Sequence, residues 1–252
     1  VTPTWTWSSG GGGGNGTFRY QVDGEDAGSW TETAGTSFAP AEPGLADGLH
    51  TLYVQERDVA GNWSVSGSYS LTVDTVPPNA PAVAGPGVLT NDPTPTWTWV
   101  SGGGEGNGTF RYQLDGEDAG SWTETTSSSF TPADPGLADD LHTLYVQERD
   151  AAGNWSASGS YALTVDTTPP NTPVVSGPVS PTPDATPTWT WVSGGGEGNG
   201  TSRYQLDGEG AGGWTETTDS FFTPIEPGLA DGLHTLYVQE RDAAENWIIS
   251  RH

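Results

Sequence analysis

The chain repeats itself with a period of 92 residues and no insertions. Trp5, Trp97 and Trp189 mark the period, and the segment at 44–58 (GLADGLHTLYVQERD) recurs at 136–150 with one change and at 228–242 with none. The 252 residues therefore hold two whole periods and most of a third. A unit of this length is too long for a propeller blade or a solenoid coil, and it matches one β-sandwich domain of about 100 residues.

Within one unit the residue pattern is that of short β-strands. Residues 4–7 (TWTW) and 17–23 (TFRYQVD) alternate with period two, which places apolar side chains on one face of each strand. Turn dipeptides such as Asn15-Gly16 and Asp47-Gly48 separate the strands, and no stretch has helical periodicity. The sequence therefore predicts an all-β chain of three tandem antiparallel β-sandwich domains. Further strands fit residues 29–33, 36–39, 49–58, 69–73 and 82–89.

Two proline-containing connectors set the predicted domain boundaries. They read VDTVPP at 73–78 and VDTTPP at 165–170, and paired prolines favour an extended, semi-rigid link. We expect domains at 1–76, 77–168 and 169–252 in an extended array, with the first lacking its first strand and the third lacking its last. Both terminal domains would then carry an unpaired sheet edge, which predicts self-association through those edges.

The composition excludes several classes of protein. Leu, Ile, Val and Phe make up only about 16% of the chain and the net charge is −25, which is typical of disorder. The 12 Trp and 8 Tyr recur in register, however, and large aromatic side chains supply the core that the aliphatic residues do not. A surface this acidic repels phosphate, so we expect no nucleic-acid partner. No apolar run reaches the roughly 20 residues of a membrane span, and there is no cysteine for thiol chemistry.

The run at 56–62 (ERDVAGN), its copy at 148–154 (ERDAAGN) and the connectors together resemble a known family. They resemble the tandem immunoglobulin-like and fibronectin III-like repeats of large secreted bacterial adhesins and surface proteins. The resemblance implies location outside the cell or on its surface. It is specific for architecture, since such repeats serve as stalks, as spacers and in some cases as binding modules.

The same resemblance implies Ca²⁺ at the junctions between domains. It assigns the ligands to Asp58, Asn62 and Asp74 at the first junction, and to Asp150, Asn154 and Asp166 at the second. Carboxylate and amide oxygens are suitable ligands for Ca²⁺. The alternative is that Asp58 and Asn62 only hold a tight turn through hydrogen bonds to the backbone. The third copy departs from the pattern because Glu245 replaces the glycine of the turn.

Tryptophan suggests a second function, because sugars stack on exposed indole rings. Trp30, Trp122 and Trp214 lie beside acidic, glycine-rich turns and are the candidates for carbohydrate binding, whereas Trp5 and Trp7 alternate as core residues do. In that alternative the chain is a lectin-like protein whose weak sites combine by multivalency.

Two further expectations concern folding. In the strand at 49–58 the alternation places Glu56 on the core face, so we expect it to be at least half buried and paired with Arg19 or an indole N–H. The glycine tracts around 10–14 and 102–106 lack the lysine and helix of a phosphate loop, and they suggest long, mobile hairpin loops.

Catalysis finds no support in the sequence, because every candidate residue, including His50, His142 and His234, occurs three times. We therefore expect a non-enzymatic spacer segment of a secreted or cell-surface adhesin-like protein, with calcium at its junctions. Contacts with extracellular glycans or proteins would be made through other domains.

Overall fold

The computed structural model describes residues 2–210 and 212–248, and this part of the chain contains β-strands and no helix. No segment in it is therefore a helix that could span a membrane. The first repeat contains β1 (Trp5–Thr6), β2 (Gly14–Val22), β3 (Thr31–Thr33), β4 (Ser37–Phe38), β5 (Gly48–Asp58) and β6 (Gly67–Val73).

The second and third repeats contain the remaining strands. Those of the second are β7 (Ala82–Ala84), β8 (Leu89–Thr90), β9 (Trp97–Val100), β10 (Gly106–Leu114), β11 (Thr123–Thr125), β12 (Ser129–Phe130), β13 (Asp140–Asp150) and β14 (Gly159–Val165). Those of the third are β15 (Val174–Ser176), β16 (Trp189–Val192), β17 (Gly198–Leu206), β18 (Thr215–Thr217), β19 (Phe221–Phe222) and β20 (Leu236–Asp242).

Each repeat forms two sheets, which confirms the tandem β-sandwich fold. The sheets of the second repeat have the orders β12-β9-β7 and β11-β10-β13-β14-β8. The first repeat has β1-β4 and β3-β2-β5-β6, and the third has β15-β16-β19 and β18-β17-β20. One pairing departs from the expected antiparallel pattern, because β8 runs parallel to β14.

Residue contacts divide the chain into two compact units. One comprises the chain up to Ala80 with Gly102–Thr109 and Glu148–Ala157, and the other comprises Pro81–Ser101, Phe110–Gln147 and the chain from Ser158 onward. The units cut across the repeat boundaries at 76/77 and 168/169, which stay predictions. The first connector up to Ala80 belongs to the same unit as the turn that follows β13.

The cores are aromatic, as the composition suggests. In the second repeat Trp97 and Trp99 are buried while Thr98 and Val100 of the same strand are exposed, as the alternation predicts. The ring of Trp99 packs edge-on against Phe110, with centroids 6.1 Å apart. The cluster is completed by buried aliphatic side chains, namely Leu144, Val146, Leu163 and Val165. A smaller cluster in the third repeat contains Trp191, Leu236 and Val238.

The strand glutamates face inward, as expected for Glu56, but Arg19 is not the partner of Glu56. Glu148 and Glu240 are buried and Glu56 is partly buried. The Glu56 carboxylate lies over Gly14, where any Cβ would overlap it, and accepts hydrogen bonds from Ser9 Oγ (2.8 Å) and the Gly16 amide (3.4 Å). Arg19 instead donates to Gln55, because it points to the opposite face of the sheet.

Candidate functional site

The D-x-A-x-N turn after the long strand is closed by its own side chains. Asp58 Oδ1 accepts from the Asn62 amide (2.8 Å), and Asp58 Oδ2 accepts from Asn62 Nδ2 (3.0 Å). These bonds, the side-chain one first, lower the pKa of Asp58. Gly61 has a φ of 95°, and Glu245 takes up a similar left-handed conformation at φ 75° in the third copy. The turn therefore survives the loss of glycine.

The same turn contacts the connector of the preceding repeat. Asn154 Nδ2 donates to Asp150 Oδ2 (2.9 Å) and also to the backbone carbonyl of Asp74 (3.0 Å). The third copy does likewise, since Asn246 Nδ2 donates to the carbonyl of Asp166 at 2.7 Å. We call each of these hydrogen-bonded contacts a connector joint.

These contacts contradict the predicted grouping of Asp58, Asn62 and Asp74. In the β5–β6 pair Gly48 lies opposite Val73, so Asp74 follows the end of the hairpin where β5 begins, while Asp58 lies where β5 ends. An 11-residue strand separates the two ends by about 30 Å, which no single cation spans. Asp74 therefore meets Asn154, not Asn62.

The second predicted group fails for the same reason. Asp140 lies opposite Val165, so Asp166 and the turn of Asp150 and Asn154 are at opposite ends of β13. Asp166 meets Asn246 of the third repeat instead. Among residues 2–210 and 212–248 the structure brings together no group of three histidine or acidic side chains suited to a metal.

The contacts actually made do not fit a Ca²⁺ site. The connector carbonyl faces the N–H₂ of the asparagine, a hydrogen-bond donor, where a calcium site needs an oxygen. Asp150 Oδ1 already accepts from the amides of Gly153 (2.7 Å) and Asn154 (2.9 Å). Although burial alone would raise the pKa of Asp150, these bonds and the Asn154 side chain lower it, so the charge is held within the turn.

The connectors continue beyond VDTVPP and VDTTPP, to 84 and to 176, and the middle of each packs against a glycine tract. Asn79 donates its amide to the Gly103 carbonyl (3.0 Å) and its Nδ2 to the Gly102 carbonyl (3.1 Å). A Cβ on Gly102 would overlap the carbonyl oxygen of Ala80. Asn171 repeats the arrangement on Gly195 and Gly194. The second and third glycine tracts are thus docking surfaces for the connector backbone, which corrects the expectation of mobile hairpin loops.

The end of each connector is a strand of the next repeat. Ala82–Ala84 pairs antiparallel with β9, with Val83 opposite Trp99. Gly159 lies so close that a Cβ would overlap the Pro81 carbonyl oxygen. In the second connector Val174–Ser176 pairs with β16 in the same way.

The start of each connector is fastened to the repeat that it leaves. Asp47 Oδ1 accepts from the amide (2.9 Å) and hydroxyl (2.8 Å) of Thr75. Asp139 accepts from both Thr167 and Thr168, and these bonds, that of the Thr168 hydroxyl first, lower the pKa of Asp139. The connector is therefore bound at its beginning, middle and end.

The three tryptophans considered for sugar binding are stacked on arginine. The guanidinium of Arg19 lies 4.7 Å from the Trp30 ring and 4.4 Å from the Trp63 ring. Equivalent stacks, each at 4.9 Å, place Arg111 on Trp122 and Arg203 on Trp214. All three indoles are partly buried. Each has a guanidinium against one face, which stabilises the sheet by a cation–π contact.

Each repeat also contains a histidine clamp that sequence reasoning missed. His50 Nδ1 lies 2.7 Å from Asp23 Oδ2, and its Nε2 lies 2.8 Å from the Ala46 carbonyl, so both ring nitrogens face acceptors. The bond to Asp23, followed by that to Ala46, raises the pKa of His50. The same pattern recurs at His142 and His234. The signal was an aspartate 27 residues before each repeated histidine, a separation that only the fold connects.

Comparisons with known proteins find similarity in structure alone. No family model matches the chain, and no curated protein matches it. The FN1–FN3 domains of chicken CNTN1 match at 14% identity and a TM-score of 0.39, over 97% of this chain and 89% of that one.

Two further solved structures match over much of the chain. The fibronectin(III)-like modules of Clostridium thermocellum CbhA match at 13% identity and a TM-score of 0.36, over 65% of this chain and 85% of theirs. A tetra-tandem repeat in the extending region of a large adhesion protein matches at 20% and 0.31, over 93% and 65%. Identities this low leave the likeness at the level of general β-architecture.

Proposed function

We propose that the chain is a non-enzymatic spacer segment of a secreted or cell-surface bacterial adhesin-like protein. The observation that carries the proposal is the docking of each connector on the repeat that follows it, through Asn154 to Asp74 and through Asn246 to Asp166. A flexible linker lets its domains rotate freely, whereas a connector bonded to both neighbours removes that freedom. A spacer needs fixed joints so that the distance between its two ends stays constant.

The charge supports the same role. A net charge of −25 with only 7 basic residues makes neighbouring chains repel one another. This repulsion acts over about 8 Å at physiological ionic strength and favours solubility without fixing any fold.

In this proposal the joints are held by hydrogen bonds and backbone packing without a metal ion. Calcium was expected from the resemblance alone, and the donors that face Asp74 and Asp166 do not supply the oxygen ligands that it requires. The rigidity of the joints should then be independent of Ca²⁺.

The repeated histidines and the three candidate tryptophans make contacts within their own repeats. His50, His142 and His234 have both ring nitrogens bonded to acceptors within their own repeat. Trp30, Trp122 and Trp214 each have a face against arginine, which leaves carbohydrate binding the less well supported function.

Spin-label distance measurements test the spacer role, and the absence of cysteine makes labelling free of background. Cysteines replacing exposed Thr36 and Ala151 report on the first joint, and those replacing Ser128 and Ala243, 92 residues on, report on the second. We expect one narrow distance distribution for each pair, unchanged by chelator. Broad distributions typical of a free linker would contradict the proposal.

A further inference from the structure

The first repeat carries a long open groove of about 630 Å³ beside β1 and β6. We call it the repeat-1 groove, and its walls include Trp7, Gly10, Gly12, Asn62, Gly67 and Tyr69. The equivalent surface of the second repeat, 92 residues later in the sequence, contacts the first connector.

These six wall residues have counterparts 92 residues on that lie against the first connector. Asn154, the counterpart of Asn62, bonds the Asp74 carbonyl, and Gly102, the counterpart of Gly10, carries Asn79 and Ala80. Trp99 replaces Trp7 and lies opposite Val83. Tyr161 replaces Tyr69 and lies directly against Gly85.

The glycines show that the groove has room for a backbone. A Cβ on Gly102 or Gly159 would overlap a connector carbonyl. Among the residues that the structure describes, nothing lies within 4 Å of a Cβ placed on Gly10, and one placed on Gly67 meets only the Val54 oxygen at 4.0 Å. Gly10 and Gly67 of the first repeat therefore leave open the space that the connector backbone occupies beside Gly102 and Gly159.

One buried indole N–H beside this groove is bonded in the second repeat and not in the first. The indole N–H of Trp97 donates to the Tyr161 carbonyl at 3.3 Å. Trp5, at the same repeat position, is only 4% exposed, and within the described chain its indole N–H has no acceptor. A buried donor left without a partner is costly, so closure of this repeat onto a ligand would be favourable.

We propose that the repeat-1 groove is a strand-acceptor site for an extended peptide of connector sequence. The peptide would give an aspartate carbonyl to Asn62, lay an Asn-Ala pair on Gly10, and add an antiparallel strand along Trp7 with its central valine inward. Main-chain bonds give such strand addition its affinity, and the alternate side chains give it specificity. This inference is independent of the spacer role.

Binding of a synthetic peptide with the sequence of residues 74–86, DTVPPNAPAVAGP, to the whole chain tests the proposal. Anisotropy of the labelled peptide measures affinity, and Trp fluorescence reports on the groove. We expect saturable binding, and a peptide with Val83→Asp should bind at least about tenfold more weakly because its central charge would be buried.

Two variants of the chain serve as matched controls. Gly10→Ala and Gly67→Ala place a methyl group where the peptide backbone would lie, yet each has free space in the isolated repeat. We expect both to lose peptide binding by at least about tenfold with unchanged melting temperature. Equal binding to these variants, absence of binding at millimolar peptide, or a dimer of the chain that the peptide does not compete with would each overturn the proposal.

Discussion

The first and second repeats contain the same ten-residue strand segment, LHTLYVQERD, at 49–58 and 141–150. In the second repeat Val146, Glu148 and Asp150 are buried, whereas their counterparts in the first are only partly buried. The same strand sequence is therefore buried to different extents in the two repeats. The two repeats differ in what lies beside the strand, because the turn after β13 binds the connector at Asp74 whereas the strand of the first repeat borders an open groove.

The comparison teaches that a repeat of this protein is completed by the chain that precedes it. The connector is both the exit of one repeat and the first strand of the next. Gly102 and Gly159 leave space for its backbone, and Asn154 binds it while also closing its own turn.

The largest difference is expected between Gly159→Ala and Gly67→Ala. The methyl group at 159 overlaps the Pro81 carbonyl, while that at 67 meets only the Val54 oxygen at 4.0 Å. We expect a loss of about 2–3 kcal/mol in the free energy of unfolding for Gly159→Ala, typical of overpacking against a rigid neighbour. Gly67→Ala should be close to neutral. Urea unfolding measures both, and equal losses would mean that the connector does not pack on β14.

A smaller difference is expected between Asn154→Ala and Asn62→Ala. Both substitutions remove the side-chain bond from asparagine to aspartate in the turn, but only Asn154 also bonds a connector. Asn154→Ala should therefore cost about 1 kcal/mol more, the net contribution of one hydrogen bond. Calorimetric unfolding of the two variants gives the difference. If Asn62→Ala were as damaging, Asn154 would have no role beyond the turn.

The histidine clamps should not distinguish the repeats, and their pH dependence is the smallest effect. The bond to Asp23 raises the pKa of His50, and in the second repeat the bond to Asp115 does so for His142 although burial opposes it. A raised pKa means that the clamp stabilises the fold below the ordinary histidine value of about 6.5 and is lost as the pH rises through the folded value.

The acidic limit follows from the aspartate. Burial favours a higher pKa for Asp23, but its bonds to His50 and Thr51 lower it, so its contribution is lost as the pH falls below about 4. His50→Asn and His142→Asn should each flatten the dependence of melting temperature on pH above about 6.5, to similar extents. Flattening by one variant only would show that the two clamps differ.

The sequence predicted the features that depend on local alternation. Trp97 and Trp99 are buried and Thr98 is exposed, and Glu148 faces the core despite its charge. It did not predict the partner of Asp74, because nearness along the chain to Asn62 concealed that an antiparallel hairpin places them at opposite ends.

Contacts made by backbone atoms were also outside the reach of the sequence. Gly102 contributes by having no side chain where Ala80 approaches, and a glycine tract with this role has the same composition as a loose loop. The clamp of His50 and Asp23 joins residues 27 positions apart, so only the paired strands bring them together.

Amide hydrogen exchange at Asn79 and Asn171 tests most directly whether the connectors are fixed by direct contacts. Both amides donate to glycine-tract carbonyls at 3.0 Å, to Gly103 and Gly195. We expect both to be protected to the same degree in excess chelator and in excess Ca²⁺. Exchange at the rate of an unstructured peptide in chelator, with protection only when Ca²⁺ is added, would contradict the account.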